Sequence, residues 1–330
     1  MKVIIQIPCF NEENTLNQTL NDLPRSIDGV DEIEYLVIND GSFDRTTEVA
    51  KEWGVDYIVN FTQNKGLAKG FMAGIDVALE NGADIIVNTD ADNQYKGSDI
   101  ERLIRPILDQ RADIVIGERP IDDTEDFSKL KKKLQHIGSW AVRQASHTDI
   151  PDAPSGFRAF SREAALRINV VNDYTYTLET IVQAGREKIP IISVPVSTNR
   201  AIRPSRLAKT MISYVRTSML TILRAYLVYK PLKAFLFLSI FPAIPGLMIG
   251  IRFLYYLYTQ GGAGHIQSLI LGCTLIIISF VCIMIGILGD TICANRKILQ
   301  DVQYHTRKQY YDGVKIANAD KGQGCRIYYR

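Results

Sequence analysis

Two uncharged stretches near the C-terminus constrain this chain more than any other feature. Eighteen consecutive residues from Ala234 to Ile251 (AFLFLSIFPAIPGLMIGI) carry no charge, and the run resumes after Arg252 in FLYYLY; 24 more extend from Ile266 to Gly289. A helix needs about 20 predominantly apolar residues to cross ~30 Å of hydrocarbon, and the Pro242/Pro245 pair is tolerated there. The pattern predicts transmembrane helices over 233–258 and 266–290. The connecting TQGGAGH has no Lys or Arg, whereas Lys230 and Lys233 precede the first run and Arg296 and Lys297 follow the second. The positive-inside rule then places both ends of the chain in the cytoplasm.

Charge divides the chain in the same place. Residues 201–330 hold 16 basic and 4 acidic side chains, a net of +12, so residues 1–200, with 22 basic and 32 acidic, carry −10. An acidic body suited to a metal or polar ligand is joined to a basic region suited to an anionic membrane surface. From Arg203 to Lys230, Arg206, Lys209, Arg216 and Arg224 fall on one helical arc, with Met211, Tyr214, Met219 and Ile222 largely opposite. An interfacial amphipathic helix is expected over 203–232. Residues 291–330 read as a basic cytoplasmic tail without an evident role. The five cysteines contain no C-x-x-C pair, and two lie within the second apolar run, which argues against a zinc site or disulfide framework.

Residues 1–202 alternate β-branched runs, VIIQI (3–7), YLVI (35–38), YIV (57–59), DIIVNT (84–89), DIVIG (113–117) and IISVPV (191–196), with segments of helical length at 14–23, 46–53, 67–81 and 100–109. That order predicts a doubly wound α/β domain with a largely parallel sheet, whose ligands gather at the carboxyl ends of the strands. Those ends carry PCFNEE (8–13), NDGSFDRT (39–46) and DADNQ (90–94). Asn, Asp, Gly and Ser also favour turns and caps for local reasons, and NDGS alone is equally well a turn. In DADNQ, two carboxylates and an amide at alternate positions, Asp90, Asp92 and Gln94, can converge on one hard cation. Mg²⁺ or Mn²⁺, which bind through one or two carboxylates plus substrate phosphates, suit that donor set. Gly66, Gly70 and Gly74 are spaced by four and match no phosphate-loop pattern, so they are expected on a helix face that packs closely. Arg119 in GER and Arg158 in DAPSGFR end strands, where a guanidinium fork suits phosphate.

Taken in order, PCFNE, NDGSFDRT, NKGLAKG, DADNQ, GER and DAPSGFRAF, followed by two apolar runs, resemble the family 2 glycosyltransferases of GT-A fold, in particular the polyprenyl-phosphate sugar transferases. The resemblance implies a Rossmann-like mixed sheet followed by interfacial helices and two transmembrane helices, in a protein of a bacterial-type inner membrane. It implies that Pro8, Phe10, Glu12, Ile38, Asp40, Ala91, Arg119 and Arg200 bind the nucleotide sugar. Asp90, Asp92 and Gln94 would hold the metal, and Arg200, Arg203 and Arg206 would meet the acceptor phosphate. Asp152 and Arg119 are the candidate catalytic residues, with Asp152 equally readable as a turn carboxylate. Asn39 stands where many relatives have Asp, Phe10 where they have Tyr, and RPSR replaces GxSK.

The chemistry also follows without the family. Breaking an anomeric C–O bond builds positive charge on the sugar and negative charge on the departing diphosphate, which a cation and Arg119 would stabilise. A lipid monophosphate, with a second pKa near 6, arrives mostly dianionic and needs no strong base. Single displacement with inversion is expected, and the resemblance implies transfer of a hexose, glucose from UDP-glucose in the first instance, onto undecaprenyl or another polyprenyl phosphate. GDP-mannose as donor is the alternative, and a non-catalytic membrane sensor or scaffold is the alternative of another class. No Q-x-x-R-W motif of processive synthases occurs. A homo-oligomer is expected, with Gly246 and Gly250 as a small-residue pair in the first span, and no nucleic-acid partner is expected.

Overall fold

Strand β1 (Lys2–Cys9) lies at the centre of a sheet whose neighbours are set by simple burial: its VIIQI run is enclosed on both faces, as continuous apolar strands require. The structure, a computed structural model, describes residues 1–120, 139, 142, 143, 146, 148–170, 176–199, 231–261, 266–318 and 325–329. The other strands are β2 (Glu32–Asn39), β3 (Tyr57–Asn60), β4 (Ile85–Asn88), β5 (Ile114–Glu118), β6 (Arg158–Ser161), β7 (Ile191–Pro195) and β8 (Arg326–Tyr329). Their order is β7-β5-β6-β4-β1-β2-β3-β8. β6 runs antiparallel to both β4 and β5, and the other pairings among the described residues are parallel, so the sheet is mixed. The register Pro8↔Ile38 and Cys9↔Asn39 brings the ends of β1 and β2 level, which aligns the loops that follow them.

Helices α1 (Leu16–Asp22), α2 (Thr46–Trp53), α3 (Leu67–Glu80) and α4 (Ile100–Leu108) fall within the expected segments. Two more, α5 (Arg162–Arg167) and α6 (Tyr176–Glu187), flank β6 and β7 in the chain. The four-spaced glycines bring α3 close to the sheet rather than to another helix. A Cβ at Gly70 would stand 3.6 Å from Ile38 Cγ2, and one at Gly74 would stand 3.0 Å from Ile38 Cδ1. Gly66 caps the helix at φ +92°.

The chain divides into two units, residues 1–219 with 301–330 and residues 220–300. The second contains α7 (Pro231–Gln260) and the first part of α8 (Ile266–Asn318), helices long and apolar enough to cross a membrane. Only 11% and 17% of their most apolar windows are buried, which fits spans and not the core helices of a soluble protein. Gly246 opposes Gly272, where its added Cβ would lie 3.2 Å from the Gly272 carbonyl oxygen, and the buried Ser279 hydroxyl donates to the Ser239 carbonyl at 2.9 Å. Gly246 therefore serves the pairing of the two helices with each other, while Gly250 has nothing within 4 Å.

The helix that contains the second apolar run continues past 290 into the basic tail: α8 runs 53 residues, and after it β8 joins the sheet beside β3. No proline interrupts the sequence from Gly289 to Asn318, and residues from 301 on belong to the first unit. Tyr304 donates to Glu163 at 2.6 Å and Asn169 donates to Gln303 at 2.8 Å. Arg307 pairs with Asp76 at 2.7 Å and also donates to the carbonyls of Ala165, Leu166 and Ile168, the last carbonyls around α5. The expected interfacial helix, as far as Lys230, lies outside the described residues.

Candidate active site at the carboxyl edge of the sheet

The loops after β1 and β2 are stitched together by side chains that cap one loop with the other. Asn11, at φ 55°, donates its N–H to Ser42 Oγ at 2.9 Å, and its Oδ1 accepts from the Phe43 N–H at 2.9 Å. The Glu12 N–H donates to Thr46 Oγ1 at 2.9 Å, and the buried Glu12 carboxylate accepts from the Thr15 hydroxyl at 2.8 Å. Phe10 and Phe43 meet edge to face at 6.3 Å, with Phe43 90% exposed. Two aromatic rings thus stand at the mouth of the loop pair, where a flat base could lie against them.

Asp40 and its neighbour Asn39 are largely spent on the protein. Asp40 accepts from the Lys65 and Gly66 N–H groups at 2.7 and 3.0 Å, and burial pushes its carboxyl above the usual range. Asn39 donates to Thr47 and Asn60 and accepts from the Ser42 N–H, so it organises the turn. Gly41, at φ +70°, leaves 2.5 Å between a notional Cβ and the Gln63 carbonyl carbon, space for no side chain. Ile38 is fully buried against α3, and Pro8 pairs with it in the strand register.

After β4 the chain turns at Asp90-Ala91-Asp92-Asn93-Gln94. Ala91 is buried and its carbonyl accepts from Thr19 Oγ1 at 2.9 Å, while Asp92 Oδ1 accepts from the Gln94 N–H at 3.2 Å. Asp90 is pushed up to about 7, first by burial and then by the charge of Asp92, with Arg119 drawing it back down. A carboxylate raised by burial and by a neighbouring negative charge suits a divalent cation. Among the described residues there is no group of three or more His, Cys, Asp or Glu that could enclose one. Asp90, Asp92 and Gln94 therefore fit an open site completed by substrate phosphates, as Mg²⁺ and Mn²⁺ sites commonly are. Gly156 backs the pair: a Cβ there would lie 2.9 Å from Asp90 Oδ1.

Beneath this loop lies a buried polar chain that the sequence reading did not single out. Gln6 donates to Asn88 Oδ1 at 2.9 Å, and Asn88 Nδ2 donates to the Gly156 carbonyl and the Tyr176 hydroxyl oxygen at 2.9 and 2.8 Å. Its sequence signal was present, since Gln6 and Asn88 are amides within otherwise apolar strands, but only the strand pairing joins them.

Arg119 and Asp152 form a bidentate pair, Nε to Oδ2 at 2.7 Å and Nη2 to Oδ1 at 2.9 Å, with Asp152 completely buried. Both carboxylate oxygens are thereby occupied, and the Arg119 N–H adds a contact to Oδ2 at 3.2 Å. The pair fixes the direction of the Arg119 guanidinium. Arg119 Nη1 has no hydrogen-bond partner among the described residues. Arg158, read from sequence as suited to phosphate, is instead fully buried. It donates to the carbonyls of Ser155, Thr177 and Ala153 and to Thr180 Oγ1, and burial lowers it to about 10. Arg200, Arg203 and Arg206 lie outside the described residues.

Comparison with known proteins identifies the family. Residues 4–168 match the model of the family described as glycosyl transferase family 2. The UDP-N-acetylglucosamine–dolichyl-phosphate N-acetylglucosaminyltransferase of Methanococcus voltae is 29% identical, covering 59% of this chain and 85% of that protein. The undecaprenyl-phosphate mannosyltransferase of Micrococcus luteus is 27% identical over 60% of this chain and 83% of that protein. Among solved structures, glucosyl-3-phosphoglycerate synthase from Mycobacterium tuberculosis, in complex with Mn²⁺, uridine diphosphate and glucosyl-3-phosphoglycerate, superposes with a TM-score of 0.52 at 16% identity. It covers 68% of this chain and 78% of that one, a likeness of fold.

Proposed function

The chain belongs to glycosyl transferase family 2, and on that premise we propose that it is a membrane-anchored, inverting glycosyltransferase that moves a hexose from a nucleotide sugar onto a polyprenyl phosphate. The observation that carries the reading is the convergence of Asp90, Asp92 and the Asp152-held Arg119 at one edge of the sheet. UDP-glucose and undecaprenyl phosphate are the first donor and acceptor to try. The relatives' names differ in their sugar, so GDP-mannose stands beside UDP-glucose.

Phe10 and Phe43 would receive the base, and Asp40 would order the loop beside it. A divalent cation held by Asp90, Asp92 and Gln94 would neutralise the donor diphosphate. Arg119, fixed in direction by Asp152, presents its remaining guanidinium edge to the same charge. An oxygen of the acceptor phosphate then attacks the anomeric carbon as that carbon's bond to the diphosphate oxygen breaks. The electron pair leaves with the nucleoside diphosphate, and the dianionic nucleophile leaves no proton to remove. Arg200, Arg203 and Arg206 would hold the acceptor phosphate, and the apolar helices would keep the domain where the lipid lies.

The test is transfer of radiolabelled UDP- and GDP-hexoses into an organic-extractable lipid by purified full-length protein with polyprenyl phosphate and Mg²⁺ or Mn²⁺. Metal-dependent label in the lipid phase, with inverted anomeric configuration, is expected. Retained configuration, or transfer only to a water-soluble acceptor, would refute the reading.

A further inference from the structure

The segment between β7 and Arg200 makes contacts to three neighbouring stretches of chain in four residues. The Val196 N–H donates to the Glu118 carbonyl at 2.9 Å, immediately before Arg119. The Ser197 N–H donates to Asp99 Oδ2 at 2.6 Å, and Thr198 forms an antiparallel bridge with Tyr95. Asn199 then donates twice to the DADNQ loop, from its N–H to the Gln94 carbonyl at 2.8 Å and from Nδ2 to the Asn93 carbonyl at 3.0 Å. Asn93 sits at φ 53°, a conformation that fits neither a strand nor a helix ladder, so its carbonyl needs a donor from elsewhere. Its own Oδ1 is buried without a hydrogen-bond partner among the described residues. The loop that carries the paired carboxylates is therefore braced from outside, and the brace is the residue directly before Arg200.

We propose that Asn199 is a positioning residue: its two donated hydrogen bonds hold the Asp90–Gln94 loop in the shape that binds a divalent cation and tie that loop to the basic segment beginning at Arg200. This rests on the proposed function only for the identity of the loop as a cation site. Without the Nδ2 bond the Asn93 carbonyl loses its partner, and the loop gains freedom that cation binding must then remove.

The test is a Mn²⁺ titration of the full-length protein, without donor or acceptor, followed by electron paramagnetic resonance of the free ion. Wild type is compared with Asn199→Ala and with Asn199→Asp, which keeps the shape and removes the donor; melting curves confirm that each is folded. Both variants are expected to bind Mn²⁺ about five-fold more weakly, the scale of one hydrogen bond. Asn199→His, which retains an N–H donor, should recover part of the loss. Affinity within two-fold of wild type in either folded variant would overturn the proposal, as would wild-type protein that binds no Mn²⁺. Wild type that binds Mn²⁺ but transfers no sugar would instead refute the proposed reaction while leaving the brace to be judged by the titration.

Discussion

The carboxyl edge of the sheet and the face of α3 that meets the C-terminal extension each contain an arginine–aspartate pair at 2.7 Å, and they use it differently. Asp152 gives both oxygens to Arg119 and leaves the arginine an edge without a hydrogen-bond partner among the described residues. Arg307 spends its remaining hydrogen bonds on three carbonyls at the end of α5, and Asp76 also accepts from the Tyr311 hydroxyl at 3.0 Å. The second arrangement ties one element to another, and the first, under the proposed function, would aim a cation at a ligand. The contrast teaches that an ion pair's role is read from where the surplus donors go, not from its distance.

The comparison breaks if residues of the two regions affect activity and stability alike. Asp92→Ala is expected to reduce sugar transfer about a thousand-fold with little change in melting temperature, by analogy with removal of transition-state charge stabilisation. Asp76→Ala should lower the melting temperature and leave transfer per folded molecule nearly intact.

A pH series sharpens the first half. Asp90 holds its proton to about pH 7 in the folded chain, against an ordinary value of 3.8. Between those values the folded state binds more protons than the unfolded one, so this contribution to stability is present below 3.8 and lost as pH rises through 7. Metal-free Asp90→Asn protein should therefore gain on wild type as pH rises across that window, by on the order of a few kcal/mol in denaturant titrations. A constant difference at all pH values would contradict the assignment.

Arg119→Lys keeps the charge and loses the fork, and a kcat reduced about a hundred-fold is expected. If transfer kinetics barely respond, Arg119 is structural like its counterpart. Arg307→Gln, conversely, should cost about 2 kcal/mol of stability, because it removes charged hydrogen bonds at a largely buried site. The smallest effect is Tyr311→Phe, about 1 kcal/mol by thermal unfolding, from one hydrogen bond to Asp76.

Much of the site was legible in the sequence because its chemistry is local. Asp90, Asp92 and Gln94 lie within five residues, and turn-forming Asn, Asp and Gly at the ends of β1, β2 and β4 mark where a parallel sheet gathers ligands. The two apolar runs were equally readable, since length and absence of charge suffice. What escaped depends on distant partners. Asn88 and Gln6 are 82 residues apart and become one hydrogen-bonded chain only through the β1–β4 pairing. Arg158 looked like a phosphate ligand, and only its enclosure by four protein oxygens makes it a strut.

By itself, then, the sequence determined the alternation of strands and helices, the acidic strand ends and the apolar helices, because periodicity and composition act over short stretches of chain. Tertiary structure decided which of those groups remain free. It placed the antiparallel β6 between β4 and β5, joined β8 to β3, and committed Asp152 to Arg119 and Asp76 to Arg307. The physical reason is that a polar group's role depends on how many of its hydrogen bonds are already made, and those partners come from segments as much as 247 residues away.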